Sequence, residues 1–140
     1  MQPWRRRIAI AVLALAPAGA WAQSDLDSTP ALEAARIWLA TLDAGRYGAS
    51  WEDAAPALQE SMTKVQWETG LEAKRAPLGV VIVRKIRQAS CARGIPADPA
   101  AEVCVLQYDT RFENRPLSTE VVTPIRGRDG TWRISAYALR

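Results

Sequence analysis

Arg84 is the residue whose surroundings in the sequence point most directly to chemistry. It stands between Ile82 and Ile86 at alternate positions of a predicted strand, so a guanidinium is expected on an apolar face. Such a group can anchor the carboxylate or phosphate of a ligand, because its planar fork of donors matches both. It can also form a structural ion pair with a helix residue, Asp43 or Glu68, and buried charges are usually paired. The sequence leaves both interpretations open and favours the ion pair.

Aromatic residues recur along the chain, and they could line a pocket for an apolar or aromatic molecule. Together with Arg84, we take Trp67, Tyr108 and Tyr137 as candidate ligand-binding residues. Aromatic residues at helix and strand spacing are more often part of a hydrophobic core. The two tyrosines are the more informative, because a buried hydroxyl needs a hydrogen-bonding partner.

The sequence offers little for catalysis. It contains no histidine, which excludes histidine acid–base chemistry and the commonest metal ligand. Carboxylates such as Asp109 and Glu120 could move protons, but both are predicted at outward-facing positions of their strands. Glycine-rich phosphate motifs and metal-binding clusters are absent from the sequence. We therefore predict no catalytic residue, no metal and no cofactor, and we favour a binding protein over an enzyme.

The two cysteines, Cys91 and Cys104, predict a disulfide in an oxidising compartment. Their spacing is not that of a redox motif, and two thiols without histidine make a poor zinc site. Strict alternation places them on opposite faces of their strands, so the bond requires a bulge or a strand end between Ile86 and Cys91. Residues 92–103 between them are rich in glycine and proline, and we predict a loop that the bond pins.

Residues 1–22 have the three parts of a secretory signal. Arg5–Arg7 supply the positive charge, Ile8–Ala20 the apolar stretch, and Ala20-Trp21-Ala22 the cleavage site. The apolar stretch is too short to span a membrane, which takes about 20 residues. We therefore predict export to the periplasm or the medium, cleavage after Ala22 and no membrane span afterwards. Of the 18 basic residues three lie in this segment, which leaves 15 against 15 acidic residues and indicates no nucleic-acid partner.

Helices are predicted first along the mature chain, because apolar residues recur there at helical spacing. A polar leader at residues 23–28 comes before them. The predicted helices cover about residues 30–44, 50–62 with a kink or restart at Pro56, and 63–75 with a capping box at Thr63 and Gln66. From Gly79 onward the apolar period shortens to two, which indicates strands.

Four strands are predicted after Gly79, the second over about residues 102–113 and the third over about 117–126. Their predicted inward-facing residues are Val80, Ile82 and Ile86; Leu106, Tyr108, Thr110 and Phe112; Leu117, Thr119, Val121, Thr123 and Ile125; and Trp132, Ile134 and Ala136. A turn at Arg128-Asp129-Gly130 joins the last two strands. The predicted fold is therefore α+β, with three N-terminal helices packed on a bent four-stranded antiparallel sheet in one domain, residues 29–140.

The order of the aromatic and glycine landmarks over about residues 31–139 resembles a secreted bacterial family known as domain of unknown function 4019. The landmarks are Trp38-Leu39, Asp43-Ala44-Gly45, Tyr47, Ser50-Trp51, Trp67, Arg75, Pro77-Leu78-Gly79, Arg84, Tyr108, Phe112, Glu120-Val121-Val122-Thr123, Asp129-Gly130, Trp132-Arg133 and Tyr137. The resemblance implies an exported protein without an established activity. The sequence departs from the pattern at Ala136, where glycine is expected, and in its two added cysteines. By analogy the fold is expected to be cystatin-like or nuclear-transport-factor-2-like, with a pocket beside the sheet.

Three functions remain as hypotheses. The first is an exported, non-catalytic binding or interaction module, with a pocket between helices and sheet for a small ligand or an envelope protein. The second is a small cofactor-independent enzyme of the lyase or isomerase type that works through Asp, Tyr and Arg. The third is a hydrolase inhibitor that acts through the 92–103 loop.

Overall fold

The computed structural model describes residues 26–140. The predicted signal, its cleavage site after Ala22 and residues 23–25 of the leader lie outside the described residues. Within the described part of the chain, no helix is both long enough and apolar enough to cross a membrane.

The helical half contains four α-helices, where we predicted three. They are α1 (Thr29–Asp43), α2 (Tyr47–Glu52), α3 (Pro56–Ser61) and α4 (Lys64–Arg75). The predicted second helix is divided because Pro56 starts a new helix at a position where a missing backbone N–H has no cost. The prediction that this segment begins at Ser50 is wrong. Ser50 is buried inside α2, and its hydroxyl donates to the Tyr47 carbonyl at 2.6 Å.

Helix α4 begins and ends as predicted. The hydroxyl of Thr63 accepts from the Gln66 amide at 3.2 Å, and the Gln66 side chain accepts from the Thr63 amide at 2.9 Å. This reciprocal capping box satisfies two backbone donors at the start of the helix. A single 3₁₀ turn, Ala76–Leu78, follows α4, and Gly79 with φ +73° turns the chain into the sheet.

The strand half is an open antiparallel sheet with its strands in chain order. The strands are β1 (Val81–Ile95), β2 (Asp98–Phe112), β3 (Arg115–Arg126) and β4 (Trp132–Leu139). The helices precede the strands along the chain and pack mainly against β3 and β4. The predicted α+β class is confirmed, whereas the analogy to cystatin-like and nuclear-transport-factor-2-like folds stays a prediction.

The hydrophobic core lies between the helices and the inner face of the sheet. Its buried members include Trp38, Leu39 and Leu42 from α1, Leu58 from α3, Trp67 and Leu71 from α4, and Leu106, Tyr108, Val122 and Ile134 from the sheet. All three residues predicted inward-facing on the first strand lie outside it, since Val80 is 62%, Ile82 is 53% and Ile86 is 47% exposed. Their exposure follows from the position of β1 at the edge of the sheet, away from the helices.

The disulfide between Cys91 and Cys104 is formed, with the two Cα atoms 4.0 Å apart. The pairing of β1 with β2 shifts by one residue between Ile86 and Gln88, and this bulge places Cys91 directly opposite Cys104. The predicted bulge is therefore confirmed. A ring of this length stabilises the fold by about 3 kcal/mol in the chain-entropy account.

The prediction of a loop at residues 92–103 is wrong. Strand β1 continues to Ile95, β2 begins at Asp98, and these two residues pair with each other. Gly94 adopts φ +85° beside a register shift, so the glycine accommodates an irregularity inside the hairpin and does not open a loop. The segment on which the hydrolase-inhibitor hypothesis rested is thus a paired β-hairpin.

The predicted inner face of β3 is also wrong. Its buried residues are Ser118, Glu120, Val122 and Pro124, while Leu117 is 86% exposed. A register shift after Thr110 places Ser118 opposite Thr110 on the inner face. The alternation was misread because most residues on the buried side of β3 are polar or proline, which gives no apolar signal.

Strand β4 changes its alternation part-way along. Ile134 is buried as predicted, but Ala136 is exposed. The pairing with β3 shifts between Thr123 and Pro124, so that Ser135 and Ala136 together form a bulge. The bulge turns Tyr137 towards the core, where its ring lies 5.6 Å from that of Trp38.

Candidate functional site

Arg84 points from β1 onto the inner face of the sheet and is held by two carboxylates. Its Nη1 and Nη2 donate to the two oxygens of Asp43 at 2.8 and 2.9 Å. Its Nε and Nη2 donate to the two oxygens of Glu120 at 2.8 and 3.3 Å. The predicted ion pair with Asp43 is confirmed, while the second acid is Glu120 and not Glu68.

A second arginine, Arg75, lies beside the first; it is a landmark of the family resemblance but is not among the site residues predicted from the sequence. It is the last residue of α4, and its side chain is only 4% exposed. It donates to Asp43 at 2.5 Å, to Glu120 at 3.0 Å and to the Tyr137 hydroxyl at 2.7 Å. A signal was present in the sequence, because Arg75 continues the buried helical spacing of Trp67 and Leu71.

Glu120 is the centre of these contacts and is completely buried. Besides the two arginines, the Thr110 hydroxyl and the Tyr137 hydroxyl each donate to it at 2.6 Å. The prediction that Glu120 faces outward is wrong, because the buried side of β3 consists mainly of polar residues and proline. We call Asp43, Arg75, Arg84, Glu120 and Tyr137 the ion cluster.

The ion cluster fixes the protonation of its members. Burial alone would raise the pKa of Glu120, but the hydrogen bonds and charge of Arg84, with the Thr110 and Tyr137 hydroxyls, outweigh it and lower that pKa. Burial raises the pKa of Tyr137 well above its ordinary value, and the adjacent Glu120 charge raises it further. At neutral pH the carboxylate is therefore ionised and the phenol is protonated.

The ion cluster can hold the fold together, but it leaves little charge or hydrogen-bonding capacity free for a ligand. It joins the ends of α1 and α4 to β1, β3 and β4, and its two acids balance its two arginines. Both oxygens of Glu120 and both of Asp43 already accept hydrogen bonds. Within residues 26–140 there is also no group of three or more Cys, Asp and Glu side chains that could hold a metal ion.

An open cleft lies next to the ion cluster, between the helices α3 and α4 and the strand β4. It has a volume of about 440 Å³, and we call it the α4–β4 groove. Its lining residues are Ser61, Met62, Gln66, Trp67, Gly70, Leu71, Lys74, Tyr137 and Leu139. Five of these nine residues are aromatic or aliphatic, Ser61 and Gln66 are polar, and Lys74 is the charged member of the set.

Trp67 and Tyr137 form one wall of the α4–β4 groove and are held in place from behind. The indole N–H of Trp67 donates to the Ser50 hydroxyl at 2.9 Å, and that of Trp38 donates to the Ser50 carbonyl at 2.8 Å. The rings of Trp67 and Tyr137 lie 6.5 Å apart in an edge-to-face arrangement. Buried Ser50 thus fixes both indoles, which gives the groove a preformed wall.

The comparison with known families agrees with the landmark pattern of the sequence. The sequence model of the family described as "protein of unknown function (DUF4019)" matches residues 34–137, which include every member of the ion cluster. The chain belongs to this family. The resemblance noted from the sequence is confirmed, and none of the curated proteins is similar enough to the chain to be matched.

The four candidate ligand-binding residues occupy two different environments in this DUF4019 protein. Trp67 and Tyr137 line the α4–β4 groove. Arg84 belongs to the ion cluster, and Tyr108 is part of the hydrophobic core, where burial raises its pKa. The structure therefore brings together one pair of the candidates in an open cleft, with Tyr137 connecting that cleft to the ion cluster.

Proposed function

We propose that this DUF4019 chain is an exported, non-catalytic binding protein that holds a small amphipathic anion in the α4–β4 groove. The observation that carries the proposal is a cleft of about 440 Å³ that combines a preformed aromatic wall with polar residues, among them one charged residue, Lys74, of the described lining. Cavities of this size and character are typical of small-molecule sites.

The apolar part of the ligand would lie against the rings of Trp67 and Tyr137 and the side chains of Leu71 and Leu139. Trp67 and Leu71 are packed into the core at 6% and 4% exposure and are therefore fixed, while the half-buried Tyr137 and Leu139 present more of the wall. A preformed wall lowers the entropy cost of binding, because few side chains must be ordered when the ligand arrives.

The anionic part of the ligand would be met by Lys74 and Gln66. Lys74 is exposed on the last turn of α4 and forms no ion pair within the described chain. Gln66 uses its amide oxygen in the capping box, which leaves its NH₂ group able to donate. Both groups are donors, so the groove favours a carboxylate or sulfonate over a cationic end.

The absence of catalysis is supported by the state of the ion cluster. An acid or base must be free to exchange a proton with a substrate, and its pKa is usually near the working pH. Glu120 is buried and its pKa is lowered. The pKa of Tyr137 is raised, and its hydroxyl is hydrogen-bonded to Arg75 and Glu120. This arrangement favours a binding role over the lyase or isomerase alternative.

Export is part of the proposal. The disulfide is compatible with an oxidising compartment, and residues 1–22 have the sequence of a secretory signal. When the full chain is expressed in a bacterial host, the product recovered from the periplasm should have the intact mass of residues 23–140 with one disulfide. A product that stays in the cytoplasm with residues 1–22 attached would refute the export proposal.

The experiment for the groove uses laurate as the probe and Gly70→Leu as the blocking variant. An added Cβ at Gly70 meets no atom within 4 Å, so the larger side chain enters open space in the groove, and leucine favours the helix. Isothermal titration calorimetry should show laurate binding to the parent and at least about tenfold weaker binding to the variant, a change of about 1.4 kcal/mol.

The matched control is Thr69→Leu, which adds similar bulk at the neighbouring exposed position of α4 outside the groove. It should bind laurate like the parent. A second pair of ligands, laurate and dodecanol, tests the polar end: Lys74→Gln should weaken laurate binding and leave dodecanol binding unchanged. Equal laurate affinity in the parent and Gly70→Leu would refute the proposed site.

A further inference from the structure

Charge is distributed unevenly between the two halves of the mature chain, although its total is neutral. Residues 76–140, which form the sheet, contain ten basic and six acidic residues. Residues 23–75, which contain the helices, have five basic and nine acidic residues. Arg84 faces the helices, whereas five of the other basic residues of the sheet line one depression on the side that the helices leave open.

The outer face of the sheet has a broad depression of about 610 Å³ that concentrates this charge. Its basic lining residues are Lys85, Arg87, Arg111, Arg115 and Arg140, and its one acidic lining residue is Asp109. Arg87 and Asp109 form an ion pair with each other. Lys85, Arg111 and Arg115 have no ion-pair partner among residues 26–140, so their charge is available to a ligand.

Exposed apolar side chains lie among these cations. Leu117 is 86% exposed and Val83 is 40% exposed, and both line the same depression. A leucine that is almost fully exposed at the start of β3 contributes nothing to the core, whereas it can enter the acyl boundary of a bilayer. Cations beside an exposed apolar residue are the combination that interfacial membrane binding uses.

We propose that this surface, defined by Lys85, Arg111, Arg115, Leu117 and Val83 and called the cationic face, docks on an anionic lipid membrane. The arginines and the lysine pair with lipid phosphates, and Leu117 enters the interface. The acidic helical half then points away from the negative surface, which avoids like-charge repulsion. This role is separate from ligand binding in the α4–β4 groove, since the two sites share no residue.

The test uses residues 23–140, because all described helices, strands and the core lie within them and because the predicted signal would bind membranes by itself. Co-sedimentation with phosphatidylglycerol vesicles should show binding that falls as salt rises, with none to phosphatidylcholine vesicles. The double variant Arg111→Ala with Arg115→Ala should bind about tenfold to thirtyfold more weakly, at about 1 kcal/mol per cation.

The matched control is Arg36→Ala with Arg46→Ala, which removes the same charge from exposed positions of the helical half. It should bind vesicles like the parent, and so should Gly70→Leu. Leu117→Ser should weaken vesicle binding by a factor that salt does not change.

Three outcomes would overturn the proposal. Equal binding to the two lipids would remove the electrostatic basis of docking. Equal losses in the two double variants would show a general charge effect and no specific face. Binding that Leu117→Ser leaves intact, and that inorganic polyphosphate displaces completely, would assign the face to a soluble polyanion.

Discussion

The ion cluster and the α4–β4 groove lie side by side but differ in composition and in role. The cluster consists of paired charges that stabilise the fold, whereas the groove is open to a ligand. The ion cluster contains two acids and two arginines, the groups that chemistry usually needs, and every one of them is bonded to another member. The groove is open, and aromatic and aliphatic residues form five of its nine lining positions. Tyr137 belongs to both, because its hydroxyl bonds to Glu120 while its ring lines the groove.

Charge in a small domain is therefore not by itself evidence of a functional site. Fully paired charges at the ends of two helices fasten those helices to the sheet, while a nearby apolar wall is left free for a ligand. Changes in the ion cluster should therefore alter stability by several kcal/mol and spare ligand binding. Changes in the groove should alter ligand binding and change stability by about 1 kcal/mol or less.

The largest expected effect is that of Glu120→Ala. Removal of the buried carboxylate leaves Arg75 and Arg84 without their main partner, and breaking a buried pair in this way costs about 3–5 kcal/mol. Urea unfolding should show the loss, and Glu120→Gln should lose less because it keeps hydrogen-bonding capacity. Asp109→Ala, which breaks an exposed pair, should change stability by less than about 1 kcal/mol. Comparable losses for the two alanine variants would contradict the structural role of the cluster.

Acid should weaken the fold through the same residue, with a smaller effect than its removal. The pKa of Glu120 is lowered in the folded state from its ordinary 4.5, so its ionised form stabilises the fold at neutral pH. That contribution begins to fall below about pH 4.5 and is lost as the pH drops through the lowered pKa. The free energy of unfolding, measured against pH, should fall more steeply for the parent than for Glu120→Gln. Parallel curves would show that another group is responsible.

Tyr137→Phe should separate the two roles of the shared residue. It removes the hydroxyl that accepts from Arg75 and donates to Glu120, at a cost of about 1–3 kcal/mol, and it keeps the ring. Laurate affinity should stay within about twofold, a change of about 0.4 kcal/mol. Unchanged stability combined with lost laurate binding would reverse the assignment.

The smallest effect is expected in the groove, from Gly70→Ala. The added methyl group meets no neighbour within 4 Å, and alanine is about 0.5–1 kcal/mol better than glycine inside a helix. The variant should therefore be slightly more stable than the parent in thermal unfolding. A destabilised variant would show that the groove is more closely packed than this structure indicates.

Much of the fold could be predicted because its local signals are strong. The capping box at Thr63, the restart at Pro56 and the bulge needed by Cys91 each follow from the chemistry of one or two residues. The failures lie where tertiary context overrides the pattern. Strand β3 buries Ser118, Glu120 and Pro124, so its polar residues mark the inside and its apolar Leu117 the outside.

The candidate site was predicted in part for the same reason. Arg84 could be predicted because a charge among isoleucines breaks the apolar pattern, and of the two acids proposed as its partner, Asp43 is confirmed and Glu68 is not. Arg75 was not predicted as a site residue because it lies at the end of a helix that is rich in charged residues. Glu120 was predicted on the outer face because the alternation of β3 was assigned in the wrong register. The bulge in β4 brings Tyr137 between the ion cluster and the groove, and this bulge depends on the pairing with β3, which the sequence alone does not reveal.

The most direct test of the account is the map of laurate binding by ¹H–¹⁵N correlation spectroscopy on residues 23–140. The account predicts that the signals of the Trp67 indole N–H and the Gly70 amide shift in a saturable way, while the Nε–H of Arg84 stays where it is. Saturable shifts at Arg84, with Trp67 and Gly70 unchanged, would contradict it and identify the ion cluster as the ligand site.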